Sequence, residues 1–268
     1  MQRLVNSNNI FKKSLYILTF LFISLICKPQ FSVQLGYSLS SISPRGFELF
    51  TESYNNYHKL ELSNKLNPFN SASGINISST YYFGKYGILI LGLNHNASLN
   101  EVTFNNGNKR IFNNSLSYGE IEFGGGPKLN KLGIYSGIGI IYGIGTLDTY
   151  YKYSDEINHF GVEYFLNGKY KARYKAISLS LKSTYDINDF LSAFIKISGL
   201  HYFRPKAYHD KDKSKFFSSQ QSDYLSTDYQ HLNEINTRFS NIPDQYRMKS
   251  DIRGFRVIVG LEYYFNNE

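Results

Sequence analysis

The stretch Phe255–Phe265, FRVIVGLEYYF, decides how this chain of 268 residues is read. Alternate side chains of a β-strand point to opposite faces. Phe255, Val257, Val259, Leu261, Tyr263 and Phe265 therefore share one face, and Arg256, Gly260 and Glu262 take the other. One face is wholly apolar, and the other carries glycine and full charges. A soluble edge strand with charge on its second face has the same pattern, so the meaning depends on what surrounds it.

Seven more segments are strand-like, at 30–41, 73–83, 86–97, 115–124, 131–147, 171–185 and 190–203, with the closing one at 253–265. The first sets Phe31, Val33, Leu35, Tyr37 and Leu39 against Ser32, Gln34, Gly36, Ser38 and Ser40. The fifth sets Leu132, Ile134, Ile138, Ile140, Tyr142 and Ile144 against Gly133, Gly137, Gly139, Gly143 and Gly145. The sixth sets Ile177, Leu179 and Leu181 against Ser178, Ser180, Lys182 and Thr184. Segment 86–97 is apolar on both faces, so its phase stays open. The linkers 42–72, 98–114, 148–170 and 204–252 are long and polar, and those at 84–85, 125–130 and 186–189 are tight. This alternation of long and short connections predicts an all-β fold, an eight-stranded antiparallel up-and-down transmembrane β-barrel. Its short turns would be periplasmic, its long loops extracellular, and both mature termini periplasmic.

A soluble sandwich or lipocalin-like barrel would point the apolar face inward instead. Three observations weigh against it. The polar face is too charged and glycine-rich for a whole exterior. The apolar runs match the ~9–11 residues with which a strand crosses a membrane. Aromatic residues gather at strand ends, namely Tyr81, Tyr82, Phe83 and Tyr86, then Tyr185 and Phe190, and finally Tyr263, Tyr264 and Phe265. These are expected to form a girdle at the turn side, since rings with polar tips favour the interface.

The opening FSVQLGYSLS at 31–40 and the closing VIVGLEYYF at 257–265, joined by the meander, resemble the small outer-membrane β-barrel proteins of the OmpA/OmpX type. The resemblance spans nearly the whole mature chain and implies a Gram-negative outer-membrane location. No peptidoglycan-binding domain is expected after the eighth strand.

Residues 1–29 read as a signal peptide: Arg3, Lys12 and Lys13 precede the apolar run Ser14–Cys27, which is too short to span a bilayer as a helix. Cleavage is placed between 27 and 30. Residues 30–268 form the barrel. Lipidation at Cys27 is the weaker alternative, because Ile26 is bulky for a lipoprotein signal. The leader holds four of the 29 Lys and Arg residues and none of the 21 acids, so the mature chain carries a net charge of 25 − 21 = +4. That modest value removes the charge argument for nucleic acid, and no nucleic-acid partner is expected. Cys27 is the sole cysteine, so the mature chain has no disulfide or thiolate site. No cofactor or metal motif is present.

On this register Glu120, Glu122, Lys182, Lys196, Arg256 and Glu262 face the lumen. Buried charges are costly unless paired, so a plug of ion pairs is expected, with a narrow ion path as the alternative. Lys169, Lys171, Arg173 and Lys175 continue the lipid-facing parity of the sixth strand beyond the membrane, which points to contact with anionic outer-membrane lipid or lipopolysaccharide phosphate, with an ordinary solvated loop edge as the alternative. In the loop 204–252, Leu225, Tyr229, Leu232, Ile235 and Phe239 fall at helical spacing, which predicts a short amphipathic helix that caps the barrel mouth or docks a protein partner. His95, Ser98, His201 and His209 lie near outer strand ends, but no lipid A-modifying motif accompanies them. The function expected is therefore non-enzymatic. The barrel would present loops to a ligand, partner protein or lipopolysaccharide, in adhesion, envelope integrity or as an accessory subunit. A small transport or channel barrel and a lipid A-modifying enzyme are the alternatives.

Overall fold

The computed structural model describes residues 30–42, 45–154, 168–202, 209–210 and 254–265. The predicted leader and the predicted helix at 225–239 lie outside these residues, as does much of the linkers 148–170 and 204–252. Ten strands and a helix are described: β1 (Gln30–Ile42), α1 (Arg45–Tyr57), β2 (Ser71–Phe83), β3 (Gly87–Thr103), β4 (Lys109–Gly125), β5 (Lys128–Leu129), β6 (Leu132–Lys152), β7 (Gly168–Asp186), β8 (Leu191–Tyr202), β9 (His209–Asp210) and β10 (Gly254–Phe265). Eight of them close a ring in the order β1-β2-β3-β4-β6-β7-β8-β10, with β10 returning to β1. Neighbours are antiparallel throughout. β5 is a two-residue pairing inside the turn before β6, and β9 adds to β7 at Tyr170 and Lys171.

Closure satisfies every strand edge within the membrane, which is what lets strands cross one at all. The turns at 84–86, 126–131 and 187–190 lie at one end, together with Gln30 and Phe265. Gly84 has φ of 59° and Asn130 has φ of 52°. Both are residue types that accept the left-handed region of a tight turn.

Exposure follows the expected inversion. Leu35, Leu93, Ile140, Leu179 and Leu261 face outward, while Ser32, Gln34, Ser178, Lys182 and Arg256 are buried inside. The open phase of β3 resolves with Leu91 and Leu93 outward and Ile88 and Ile90 inward, where they pack with Tyr135. Alternation also divides the aromatic ends. Tyr263 and Phe265 are exposed, but Tyr264 is buried and Tyr82 turns inward to 5.9 Å from it, so these two leave the expected girdle for the lumen.

The strands of one wall are longer than expected. The segment read as the linker 98–114 is paired strand, Ser98–Thr103 against Lys109–Asn114, around a turn at Phe104–Asn108. β6 runs on to Lys152, and β7 begins at Gly168. The outward apolar run of β6 stops at Ile144, which leaves residues 145–152 beyond it. That is about 20 Å of height at ~3.3 Å rise per residue and a tilt near 40°. Among the described residues β1, β2, β8 and β10 have no such extensions, and β3, β4, β6 and β7 stand up as half a cylinder.

Along these extensions the alternation reverses. Val102, Phe104, Phe112, Leu147 and Tyr170 point inward and are buried. They meet α1, which was read as linker 42–72. Phe47, Phe50, Thr51 and Tyr54 recur at helical spacing on its buried face. Phe47 packs on Phe69 with centroids 4.7 Å apart, and Phe50 on Phe112 at 5.8 Å. Asn55 ties α1 down, donating to the Leu66 carbonyl at 2.9 Å and accepting from the Leu66 N–H at 2.8 Å. The following chain covers the edge of β3 above its last pairing with β2. Ser63 N–H donates to the Thr103 carbonyl at 2.9 Å, and Asn100 Nδ2 to the Asn67 carbonyl at 2.9 Å. A free strand edge invites pairing with another chain, and this edge is closed by its own. The result is an apolar dome over the mouth.

Candidate functional site

Beneath the dome the six predicted charges converge. Arg256 on β10 reaches the strand opposite, β4, where Nη2 lies 2.9 Å from Oε1 and 2.8 Å from Oε2 of Glu120. Its Nη1 donates to the Tyr118 hydroxyl at 2.8 Å, and Nη2 also to Ser198 at 3.1 Å. Lys196 on β8 sits 2.6 Å from Glu122 and 3.4 Å from Glu120. Nearer the turns, Lys182 on β7 pairs with Glu262 on β10 at 2.8 Å, and Tyr82 donates to Glu262 at 2.7 Å. Ser178 and Ser180 donate to Glu120 and Glu122, each at 2.6 Å. Three acids meet three bases, all buried. Each carboxylate is hydrogen-bonded as well as paired, which low-dielectric burial demands.

The inward glycines of β6 make room for this. A Cβ on Gly137 would lie 2.5 Å from a carboxylate oxygen of Glu122, and one on Gly139 2.5 Å from Ser178 Oγ and 3.2 Å from Glu120. Gly137→Val is therefore expected to push Glu122 off Lys196 and cost about 1–3 kcal/mol in urea unfolding of the refolded barrel. A variant as stable as the parent would mean that the glycine is not there for the acid.

Two members of the site, Tyr82 and Tyr118, and one buried cation of the wall above it, Arg110, escape the sequence reading. The clustering of aromatics at strand ends assigns Tyr82 to the girdle, and Tyr118 carries no charge to mark it beside Glu120 and Glu122. Arg110, fully buried with its guanidinium 5.2 Å from the Tyr151 ring, lay in the presumed linker 98–114. Its signal was the inward parity it shares with Phe112 and Glu120.

Lys169, Arg173 and Lys175 are exposed and Lys171 half-buried, all on the outward face of β7. They stand beside Asp148, Ile144, Tyr142 and Thr146 of β6, respectively. The Lys175 ammonium lies 5.6 Å from the centroid of Tyr142. The lower two cations are thus level with the top of the apolar belt, and the upper two above it.

His95 and Ser98 point to opposite faces of β3, as three-residue spacing in a strand requires. His95 instead shares a 2.7 Å hydrogen bond with Ser117 on the outer wall. His201 is exposed on β8, and the side chain of His209 lies outside the described residues.

A closed eight-stranded ring, apolar outside and charged inside, has one natural solvent. This is the fold of a small outer-membrane β-barrel. No family model and no curated protein matches the chain. Among solved structures it is similar to Ail, the attachment invasion locus protein of Yersinia pestis, in complex with the heparin analogue sucrose octasulfate. The identity is 10%, covering 89% of this chain and 99% of that one, with a TM-score of 0.42. It is also similar to the outer membrane protein OprG of Pseudomonas aeruginosa, at 10% identity over 90% of this chain and 97% of that one, with a TM-score of 0.43. What fixes the fold class is the ring closure and the inverted exposure of the chain itself.

Proposed function

We propose that the chain is a non-enzymatic barrel of the Gram-negative outer membrane that holds a rigid binding platform outside the membrane. The observation that carries this is the half-cylinder of β3, β4, β6 and β7, which continues past the apolar belt and is filled by α1. Strand extensions with their own core serve no purpose for crossing the bilayer. They do hold loops and wall in a fixed shape, which lowers the ordering cost of binding.

Two further elements support the reading. Among the described residues the lumen is filled by paired charges and covered by the dome, an arrangement that disfavours passage of a solute. Lys169, Lys171, Arg173 and Lys175 would anchor the platform to lipopolysaccharide or other anionic lipid phosphates through charge-assisted hydrogen bonds. Orientation follows: turns and mature termini periplasmic, platform and the loop 204–252 outside, where a protein partner would dock.

Purification from native membranes in mild detergent, with identification of co-purifying chains, tests the platform. A stoichiometric partner that is lost when the turn Phe104–Asn108 is altered supports it, and recovery of the barrel alone from several native membranes overturns it. In planar bilayers the barrel should show little or no steady conductance, whereas large unitary steps would restore the channel reading. Changing Arg173 and Lys175 to Glu together should weaken retention of lipopolysaccharide on the purified barrel several-fold.

A further inference from the structure

The lipid-facing wall of β3, β4 and β6 is not smooth. Gly119 of β4 lies on the outward face, with Leu93 of β3 and Tyr142 of β6 beside it in the strand register. A Cβ there would meet nothing nearer than 3.9 Å, so the position is an open floor. Leu93 and Tyr142 form its exposed sides, and Leu91, Ile121 and Ile140 continue it toward the turns. All six residues line a single hollow of about 1230 Å³. That exceeds the ~300–1,000 Å³ of an ordinary small-molecule site and suits a long chain better than a compact ligand.

One end of the hollow is charged. Tyr142 stands next to Lys175 of β7, whose ammonium lies 5.6 Å from the ring centroid, and Ile177 of the same strand also lines the hollow. One row farther from the turns come Arg173, Ile144, Ser117 and His95, the last two joined by their 2.7 Å hydrogen bond. Apolar lining and cations are thus continuous, at the level where the belt gives way to headgroups.

We propose that this hollow seats one acyl chain of lipid A, whose phosphate is held by Lys175 and Arg173. The proposal rests on the reading of these cations as an anchor for lipopolysaccharide, and it adds the seat for the chain. Charge complementarity selects the occupant. A neutral lipid would fill the hollow and leave two neighbouring cations without an anion, and a free phosphate would leave the hollow empty. A chain lying between walls that are already ordered makes dispersion contacts on both sides, which offset its lost freedom. Ser117 and His95 add hydrogen-bonding groups beside the phosphate.

The full barrel, taken from phosphatidylcholine vesicles doped with lipid A and weighed by native mass spectrometry, tests the seat. One firmly retained lipid A per barrel is expected. Gly119→Phe should fill the hollow and lower that retention several-fold. Gly199→Phe should leave it unchanged, because Gly199 lies on the outward face of β8 and does not line the hollow. Equal retention in the parent and Gly119→Phe, or equal loss in both variants, overturns the seat. Lys175→Glu separates the two readings. If it lowers retention while Gly119→Phe does not, the seat falls and the anchor stands; if neither lowers it, both fall. Should Gly119→Phe lose heat modifiability, lipid A with a photoreactive acyl chain on the unaltered barrel decides. Crosslinks concentrated on Leu91, Leu93 and Ile121 support the seat, and crosslinks spread evenly to Val259 and Leu261 on the opposite wall overturn it.

Discussion

Arg256→Met is expected to lower the unfolding free energy by about 3–5 kcal/mol, the loss typical of breaking a buried pair from one side. The side chain is fully buried and spans the lumen to both oxygens of Glu120. Without it Glu120 keeps its bond from Ser178, but its remaining cation among the described residues is Lys196 at 3.4 Å, and that ammonium is closer to Glu122. One buried carboxylate is then left in excess. The pairing itself is not the main source of the loss; the stranded charge is. The double variant Arg256→Met, Glu120→Gln should therefore recover most of the deficit, because Lys196 with Glu122 and Lys182 with Glu262 remain balanced. Urea unfolding of the barrel in lipid vesicles, followed by the gel shift between folded and boiled protein, reads both. If the double variant is as unstable as the single one, the cluster is not charge-balanced as described.

Phe50→Ala should cost about 3–5 kcal/mol of the dome's stability while the barrel beneath keeps its own. Phe50 contacts Tyr54 and Phe112, with ring centroids 5.8 Å away in both cases, and it sits at the middle of the eleven-residue core. The loss should be local, because proteins open in cooperative units smaller than the whole. Backbone amides of α1 should then exchange with solvent hundreds of times faster, and the chain near Tyr54 should become open to protease. Strands β1, β8 and β10 should exchange as before, and heat modifiability should persist. Uniform acceleration across all strands would mean that dome and barrel are one unit.

The barrel was legible in the sequence because its solvent is apolar and its period is two. Inverted alternation in Phe255–Phe265, in the glycine strand 131–147 and in their companions gives the strand count and most of the faces, while the phase of 86–97 stays open until the structure is seen. The raised wall was not legible on the same rule. Where the chain leaves the membrane the apolar parity changes sides, so Arg110 and Phe112 inward with Asn113 and Ser115 outward look like a broken pattern followed by a polar loop. The spacing at 225–239 predicts a helix in a stretch that lies outside the described residues. Phe47, Phe50, Thr51 and Tyr54 carry the same spacing at 45–57. Asn and Ser dominate the surrounding linker and hide that spacing.

The position of α1 in the chain sets an order of events. It follows β1 immediately, yet the surfaces that cover it belong to β3, β4, β6 and β7. Phe47, Phe50 and Tyr54 have nowhere to be buried until β3, β4, β6 and β7 are all in place. Protection of α1 therefore reports a complete wall, because a barrel that lacks any of these four strands leaves the rings exposed.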